Sequence, residues 1–132
     1  VPIINSKVQD GLLTVCVSDE PQRVRLGLQG DLDLANAKTA EAQLMGAFES
    51  GKEVLVDLGK LEFLDSTGIA LLVMALQRHD AGRLSFLPSK AAGVRRLFSL
   101  TGLEQKLPFV TEPVETTPLP AAPTSQPLQP AA

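Results

Sequence analysis

Between Leu12 and Val110 the apolar residues change their repeat several times, and no single period runs the length of the chain. A strand turns the same face every second residue, a helix about every 3.6, so each change of repeat marks a change of element. Leu13, Val15 and Val17 alternate with polar neighbours within Leu12 to Ser18, the pattern of a half-buried strand. Asp19-Glu20-Pro21 follows as a turn, because proline presets the backbone angle there. Val24, Leu26 and Leu28 then alternate with Arg23, Arg25 and Gly27. So short a link between two strands predicts an antiparallel hairpin.

Gly30-Asp31-Leu32-Asp33 leaves the second strand. Asp33 is expected to N-cap a helix running to about Ser50, and Ala37, Ala40, Leu44, Ala47 and Phe48 fall on one stripe of it. Gly51 closes it as a left-handed glycine. Val54-Leu55-Val56 is short and apolar throughout, as a central strand should be. A second helix starts at Asp65 or Ser66 and runs to His79, with Ile69, Leu72, Val73 and Leu76 expected inward and Gly82 as its stop. Leu84, Phe86 and Leu87 form a fourth strand. Pro88-Ser89 opens a third helix, Lys90 to Leu100, with Val94, Leu97 and Phe98 inward and Gly102-Leu103 as its terminating turn. Leu107 to Val110 reads as a short fifth strand.

The predicted order is β-β-α-β-α-β-α-β. Strand-helix-strand units are right-handed crossovers between parallel strands. The expected fold is therefore α/β, one domain over residues 1–110, with a mixed sheet of four to five strands and three main helices. Residues 111–132 hold six of the chain's ten prolines and three large aliphatics, Val114, Leu119 and Leu128. Such a segment buries too little apolar surface to offset its ordering entropy, so a disordered or partly polyproline tail is expected.

Charge and composition narrow the function. Net charge is −3, and the densest basic group is only Lys90, Arg95 and Arg96, which argues against direct nucleic-acid binding. No apolar run is long enough to cross a bilayer, and Val1 to Asp10 lacks the layout of a secretion signal, so a cytoplasmic location with no membrane insertion is expected. Cys16 is the only cysteine, which rules out an internal disulfide and a cysteine-built zinc site. It reads as a small filler in a strand, with an intermolecular redox contact as the sharper alternative.

Enzyme signatures fail in turn. There is no GxxxxGK phosphate loop and no GxGxxG. His79 is the sole histidine, so a multi-histidine metal site cannot form. Ser66 and His79 are expected on one helix, 13 positions apart, which separates them by about 20 Å. Proton transfer needs about 3 Å, so a Ser66–His79–Asp80 triad is excluded. His79 is better read as a helix-end residue favoured by the dipole. Leu64-Asp65-Ser66-Thr67-Gly68 lacks the glycine two before serine that a nucleophile elbow requires. The carboxylate pairs Asp31 with Asp33 and Glu62 with Asp65 carry no sign of a deep pocket. The chain is expected not to be an enzyme and to need no cofactor.

Leu61-Glu62-Phe63-Leu64-Asp65-Ser66-Thr67-Gly68-Ile69 links a strand to a helix. Asp65, Ser66 and Thr67 crowd the first turn, where backbone N–H groups lack partners. Plain helix capping explains the stretch as well as a functional surface does. Gly68 is expected to leave room for an approaching surface. With Gly30-Asp31-Leu32-Asp33, Val54-Leu55-Val56-Asp57-Leu58, Phe63 through Ile69, Val94-Arg95-Arg96-Leu97-Phe98 and Leu100-Thr101-Gly102-Leu103 in this order, the chain resembles the STAS family, and within it the anti-anti-sigma factors, over residues 12–110.

That resemblance implies an anti-sigma factor antagonist. Its unmodified form would bind an anti-sigma factor, itself a serine kinase holding ATP, and so free a sigma factor. Phosphorylation of Ser66 would block binding, and a phosphatase would restore it. Thr67 is the weaker phosphoacceptor. The expected contact surface is Asp31, Asp33, Asp65, Ser66, Thr67 and Gly68, with a basic partner surface opposite. Two other readings remain: a STAS subunit docking on the ATPase of a membrane lipid-transport complex, and a small-ligand or nucleotide sensor, which would require a pocket.

Overall fold

The computed structural model describes residues 5–78 and 81–111. Its strands are β1 (Ser6–Asp10), β2 (Leu13–Asp19), β3 (Arg23–Leu32), β4 (Glu53–Asp57), β5 (Leu61–Leu64) and β6 (Leu84–Leu87). Its helices are α1 (Ala37–Glu49), α2 (Ser66–Arg78), α3 (Ala92–Leu100) and the single turn α4 (Leu103–Lys106). The strands form one mixed sheet in the order β1-β2-β3-β4-β6, with β5 beside β3. β1–β2 and β2–β3 are antiparallel; β3–β4, β3–β5 and β4–β6 are parallel.

The α/β class, the β2–β3 hairpin and the three main helices agree with the sequence reading. The sheet has six strands where four to five were expected. β1 was hidden because Ser6-Lys7-Val8-Gln9-Asp10 is polar and mostly exposed at the sheet edge, so it carries no apolar alternation. β5 was hidden because only Leu61 and Leu64 of its four residues are buried. Leu107 to Val110 contributes a single parallel bridge, Phe86 to Phe109, in place of a full strand. His79, Asp80 and residues 112–132, including nearly all of the proline-rich segment, lie outside the described residues.

One face of the sheet carries the core. Leu13, Val15 and Val17 of β2, Val24, Leu26 and Leu28 of β3, Val54 and Val56 of β4, and Leu84 and Phe86 of β6 are all buried there. Ala40, Leu44, Ala47 and Phe48 of α1, Leu72 and Ala75 of α2, and Val94 and Phe98 of α3 pack against them. Burying a leucine or phenylalanine side chain stabilises by about 1.5–3 kcal/mol, so this layer dominates the fold's energetics. The alternate residues Cys16, Arg25, Gly27, Gln29, Asp57 and Ser85 face away from the helices and are half-buried. Cys16 is a free thiol there, with the Gln29 amide donating to its Sγ at 3.7 Å.

α2 turns the expected face to the core: Leu72 is buried, and Ile69, Val73 and Leu76 are partly buried and packed against it, with Gly68 and Ala75 buried in addition. The small residues at Gly68 and Ala75 let the helix approach closely, and the closest stripe becomes the most buried one. α3 begins at Ala92, two residues later than Lys90, because Ser89 is buried and ties the entry loop. Its hydroxyl donates to the Leu61 carbonyl at 2.7 Å and accepts from the Ala91 N–H at 2.9 Å.

Candidate functional site

β3 is ten residues long and serves two partners. Its first half, Arg23–Gly27, pairs β4; its end, Gly30–Leu32, pairs β5. The register slips between Gly30 and Asp31, leaving Glu62 without an opposite residue. Gly30 is required at this step. Its φ is +93°, and an added Cβ would lie 2.1 Å from the Leu12 carbonyl oxygen. The slip brings Leu32 opposite Leu64, so β3 and β5 end side by side. The loops that follow, at Asp33 and Asp65, are therefore neighbours.

Asp65 is the hinge of the site. Its Oδ1 accepts from the Gly68 N–H at 3.0 Å, which makes it the N-cap of α2. Its Oδ2 accepts from the Leu34 N–H at 3.2 Å, which fastens the Asp33 loop to the helix start. Its own N–H donates to the Leu32 carbonyl at 3.2 Å. Ser66 is the first residue of α2 and is exposed; Thr67 beside it is half-buried. The Ser66 and Thr67 backbone N–H groups have no acceptor among the described residues, as expected for a first helical turn.

The Asp33 loop is held from below by Asn36, which is 2% exposed. Its Oδ1 accepts from the Asp33 N–H at 2.9 Å, and its Nδ2 donates to the Asp31 carbonyl at 2.9 Å. Asn36 thus occupies the cap position of α1, with its side chain turned back into the loop. Asp33 is not the helix N-cap that the sequence suggested. Its Oδ1 instead accepts from the Ala35 N–H at 3.0 Å, closing a local turn. The helix starts later because the loop needs those residues to reach across to Asp65.

Asp33, Asp65, Ser66 and Thr67 come together at this corner. Asp31 stands one row back, in β3 opposite Phe63, and both are directed to the uncovered face. Gly68 does not belong to the outer surface. It is buried, and an added Cβ would lie 2.4 Å from Leu64 Cδ1 and 2.9 Å from Leu32 Cγ. The room it leaves is filled by the core, not by a visiting surface.

Two apolar side chains flank the corner: Leu34 is 76% exposed and Phe63 49%. Sequence reasoning did not single out Leu34 or Asn36. Leu34 lies three positions before Ala37, in step with the Ala37–Ala40–Leu44 stripe, so its spacing hid its exposure. Asn36 gave no signal, since its importance lies in burial.

The fold and this corner define a small mixed-sheet α/β domain that presents a serine where a strand passes into a helix. The family model described as "Mlab, STAS domain" matches residues 15–111. The chain belongs to the STAS domain family. It is 33% identical over 96 residues to the Bordetella bronchiseptica protein named "Putative anti-sigma factor antagonist BtrV", covering 70% of this chain and 72% of that one. Among solved structures, it resembles an anti-sigma factor antagonist from Mycobacterium paratuberculosis, with TM-score 0.67 and 22% identity over 74% of this chain and 84% of that one. It also resembles the anti-sigma factor antagonist SpoIIAA in its unphosphorylated form, with TM-score 0.59 and 22% identity over 74% and 89%. The phosphorylated form of SpoIIAA, from Bacillus, matches with TM-score 0.54 and 20% identity over 74% and 92%. At these identities the structural likeness speaks for the fold. No helix among the described residues is long and apolar enough to cross a membrane.

Proposed function

We propose that this chain is an anti-sigma factor antagonist, a non-enzymatic binding protein of the cytoplasm switched by phosphorylation of Ser66. Its unmodified form binds an anti-sigma factor with serine kinase activity and thereby frees a sigma factor. That kinase phosphorylates Ser66, binding is lost, and a phosphatase restores it. The observation that carries the reading is the exposed Ser66 at the first position of α2, fastened through Asp65 to the Asp33 loop. The name carried by the Bordetella relative supports it. So does the existence of a protein of the same fold, SpoIIAA, in both phosphorylated and unphosphorylated forms.

The physics of the switch follows from the corner. A phosphate adds about −1.5 to −2 charges at neutral pH. The N-terminus of α2 tolerates it, because the helix dipole and the amides of Ser66 and Thr67 favour an anion there. The domain's own fold survives. The interface does not: Asp33 and Asp65 already make it acidic, and phosphate adds both charge and bulk where a partner must approach. Leu34 and Phe63 supply the apolar contact beside the carboxylates.

The test is incubation with a candidate anti-sigma kinase and ATP, then mapping of the phosphate by mass spectrometry. Phosphate is expected on Ser66, with partner affinity falling more than about a hundredfold, equivalent to roughly 3 kcal/mol. Unchanged affinity after stoichiometric modification of Ser66 would overturn the switch. A second reading, a STAS subunit docking on the ATPase of a membrane lipid-transport complex, is favoured by the Mlab description of the family model. It uses the same corner and predicts binding to the ATPase that is indifferent to Ser66→Ala, with no phosphate on Ser66.

A further inference from the structure

The uncovered face of the sheet contains a cavity of about 360 Å³ at the ends of β4 and β6. It is lined by Gly27, Gln29, Asp57, Gly59, Lys60, Leu87, Pro88 and Lys90. Its size lies at the lower end of the range for small-molecule sites, roughly 300–1,000 Å³. We propose that this trough binds a small phosphate monoester with a compact apolar body, the phosphate between Lys60 and Lys90 and the body on Gly27, Leu87 and Pro88.

The charge arrangement carries the inference. Lys60 and Lys90 have no carboxylate or carbonyl partner for their ammonium groups among the described residues. The one acidic group lining the cavity, Asp57, is already engaged. Its Oδ2 accepts from Arg25 Nη1 at 3.2 Å, and its Oδ1 accepts from the Gly59 N–H at 2.8 Å. The trough therefore presents two lysine ammonium groups held in no ion pair among the described residues, with Glu62 in the adjoining hollow as the nearest further carboxylate on its rim. Lysine meets phosphate as a point charge, and two of them match a dianion.

The backbone is fixed around it. The Lys90 N–H donates to the Gly59 carbonyl at 3.2 Å, and the Leu58 N–H to the Leu87 carbonyl at 3.0 Å, so the two lysine-bearing loops are laced together. Gly27 contributes to the floor because it has no side chain; an added Cβ would lie 3.9 Å from Cys16 Cβ and would narrow the trough. Leu87 and Pro88 give the apolar wall. The four-residue strand β5, which alone spans about 13 Å, lies between Lys60 and the start of α2, so this site is separate from the phosphorylation corner.

The test is an amide-resolved NMR titration of the full chain with phenyl phosphate, inorganic phosphate and phenol at physiological salt. Phenyl phosphate is expected to give saturable shifts at Gly27, Asp57, Gly59, Lys60 and Lys90, with a dissociation constant below about 1 mM, and inorganic phosphate and phenol to bind at least about tenfold more weakly. Lys60→Ala with Lys90→Ala should remove the saturable shifts while leaving the rest of the spectrum unchanged, since both side chains are exposed. Lys38→Ala with Lys106→Ala should leave them intact. Linear shifts spread equally around Lys38 and Lys106 would overturn the proposal. So would equal binding of the three probes, or saturable binding that survives loss of both Lys60 and Lys90.

Discussion

At its Arg23 end, β3 is surrounded by charges that satisfy one another. Glu20 Oε1 meets Arg23 Nε at 2.8 Å, Glu20 Oε2 meets Arg25 Nε at 3.1 Å, and Arg25 reaches Asp57. Lys52 pairs with Asp19 at 2.6 Å close by. At its Leu32 end, Asp31, Asp33 and Asp65 have no cationic partner among the described residues, and Asp33 and Asp65 are met only by backbone N–H groups. The same residue types thus do different work on one strand. In the hairpin region the charges are matched internally and need no visitor. At the corner, carboxylates gather around an exposed serine and leave their charge available to a basic partner. Opposite charge at such a surface speeds and selects an encounter more than it strengthens the fold.

This contrast can be broken by experiment. The largest effect is expected from Gly30→Ala, which forces a side chain into the Leu12 carbonyl at a positive φ and should cost on the order of 3 kcal/mol or more in chemical denaturation. If stability is unchanged, the register slip that aligns the two loops does not depend on this glycine. Asn36→Ala comes next. It leaves the Asp33 N–H and the Asp31 carbonyl without their buried partner, for a loss of about 1–3 kcal/mol and a looser Asp33 loop, visible as faster amide exchange at Asp33.

Asp65→Asn is the sharpest comparison. Asparagine can keep the Gly68 cap through its one amide oxygen but cannot also accept from the Leu34 N–H, so stability should fall by about 1 kcal/mol. Removing the charge should still weaken binding to a basic anti-sigma surface, read by calorimetry. Equal losses of stability and binding would mean that Asp65 serves the fold alone.

The smallest effect belongs to the hairpin. Partial burial raises the Glu20 pKa, but hydrogen bonds and charge from Arg23 and Arg25 outweigh it and hold the carboxyl below its ordinary value. A carboxylate whose folded pKa is lowered adds stability above its unfolded pKa and loses it as pH falls through the folded one. Glu20→Gln should therefore lower the melting temperature slightly at pH 7, and the gap should close on acidification. A gap that widened in acid would reverse the sign of this interaction.

Much of the fold was legible because burial leaves a period in the sequence. Val15 and Val17, Val24 and Leu26, and the Ala40–Leu44–Ala47 stripe each declare an inward face. β1 and β5 were not legible: the first is an exposed edge, and the second buries only its two end residues. Ser66 and Asp65 could be read as a helix start from their order alone. The inward role of Gly68 could not, because what a missing side chain makes room for depends on Leu32, which lies 36 positions earlier.

By itself, the sequence determined which residues seek the interior, where helices can begin, and that Ser66 follows a capping carboxylate. Those are local preferences, set by neighbours along the chain. Only the tertiary structure decided that Asp33 turns away from α1, that Asn36 lies beneath the loop, and that Lys60 and Lys90 share a trough. Each depends on the pairing of distant strands, β3 with β5 and β4 with β6, and a hydrogen bond or a cavity exists only once both of its sides have been brought together.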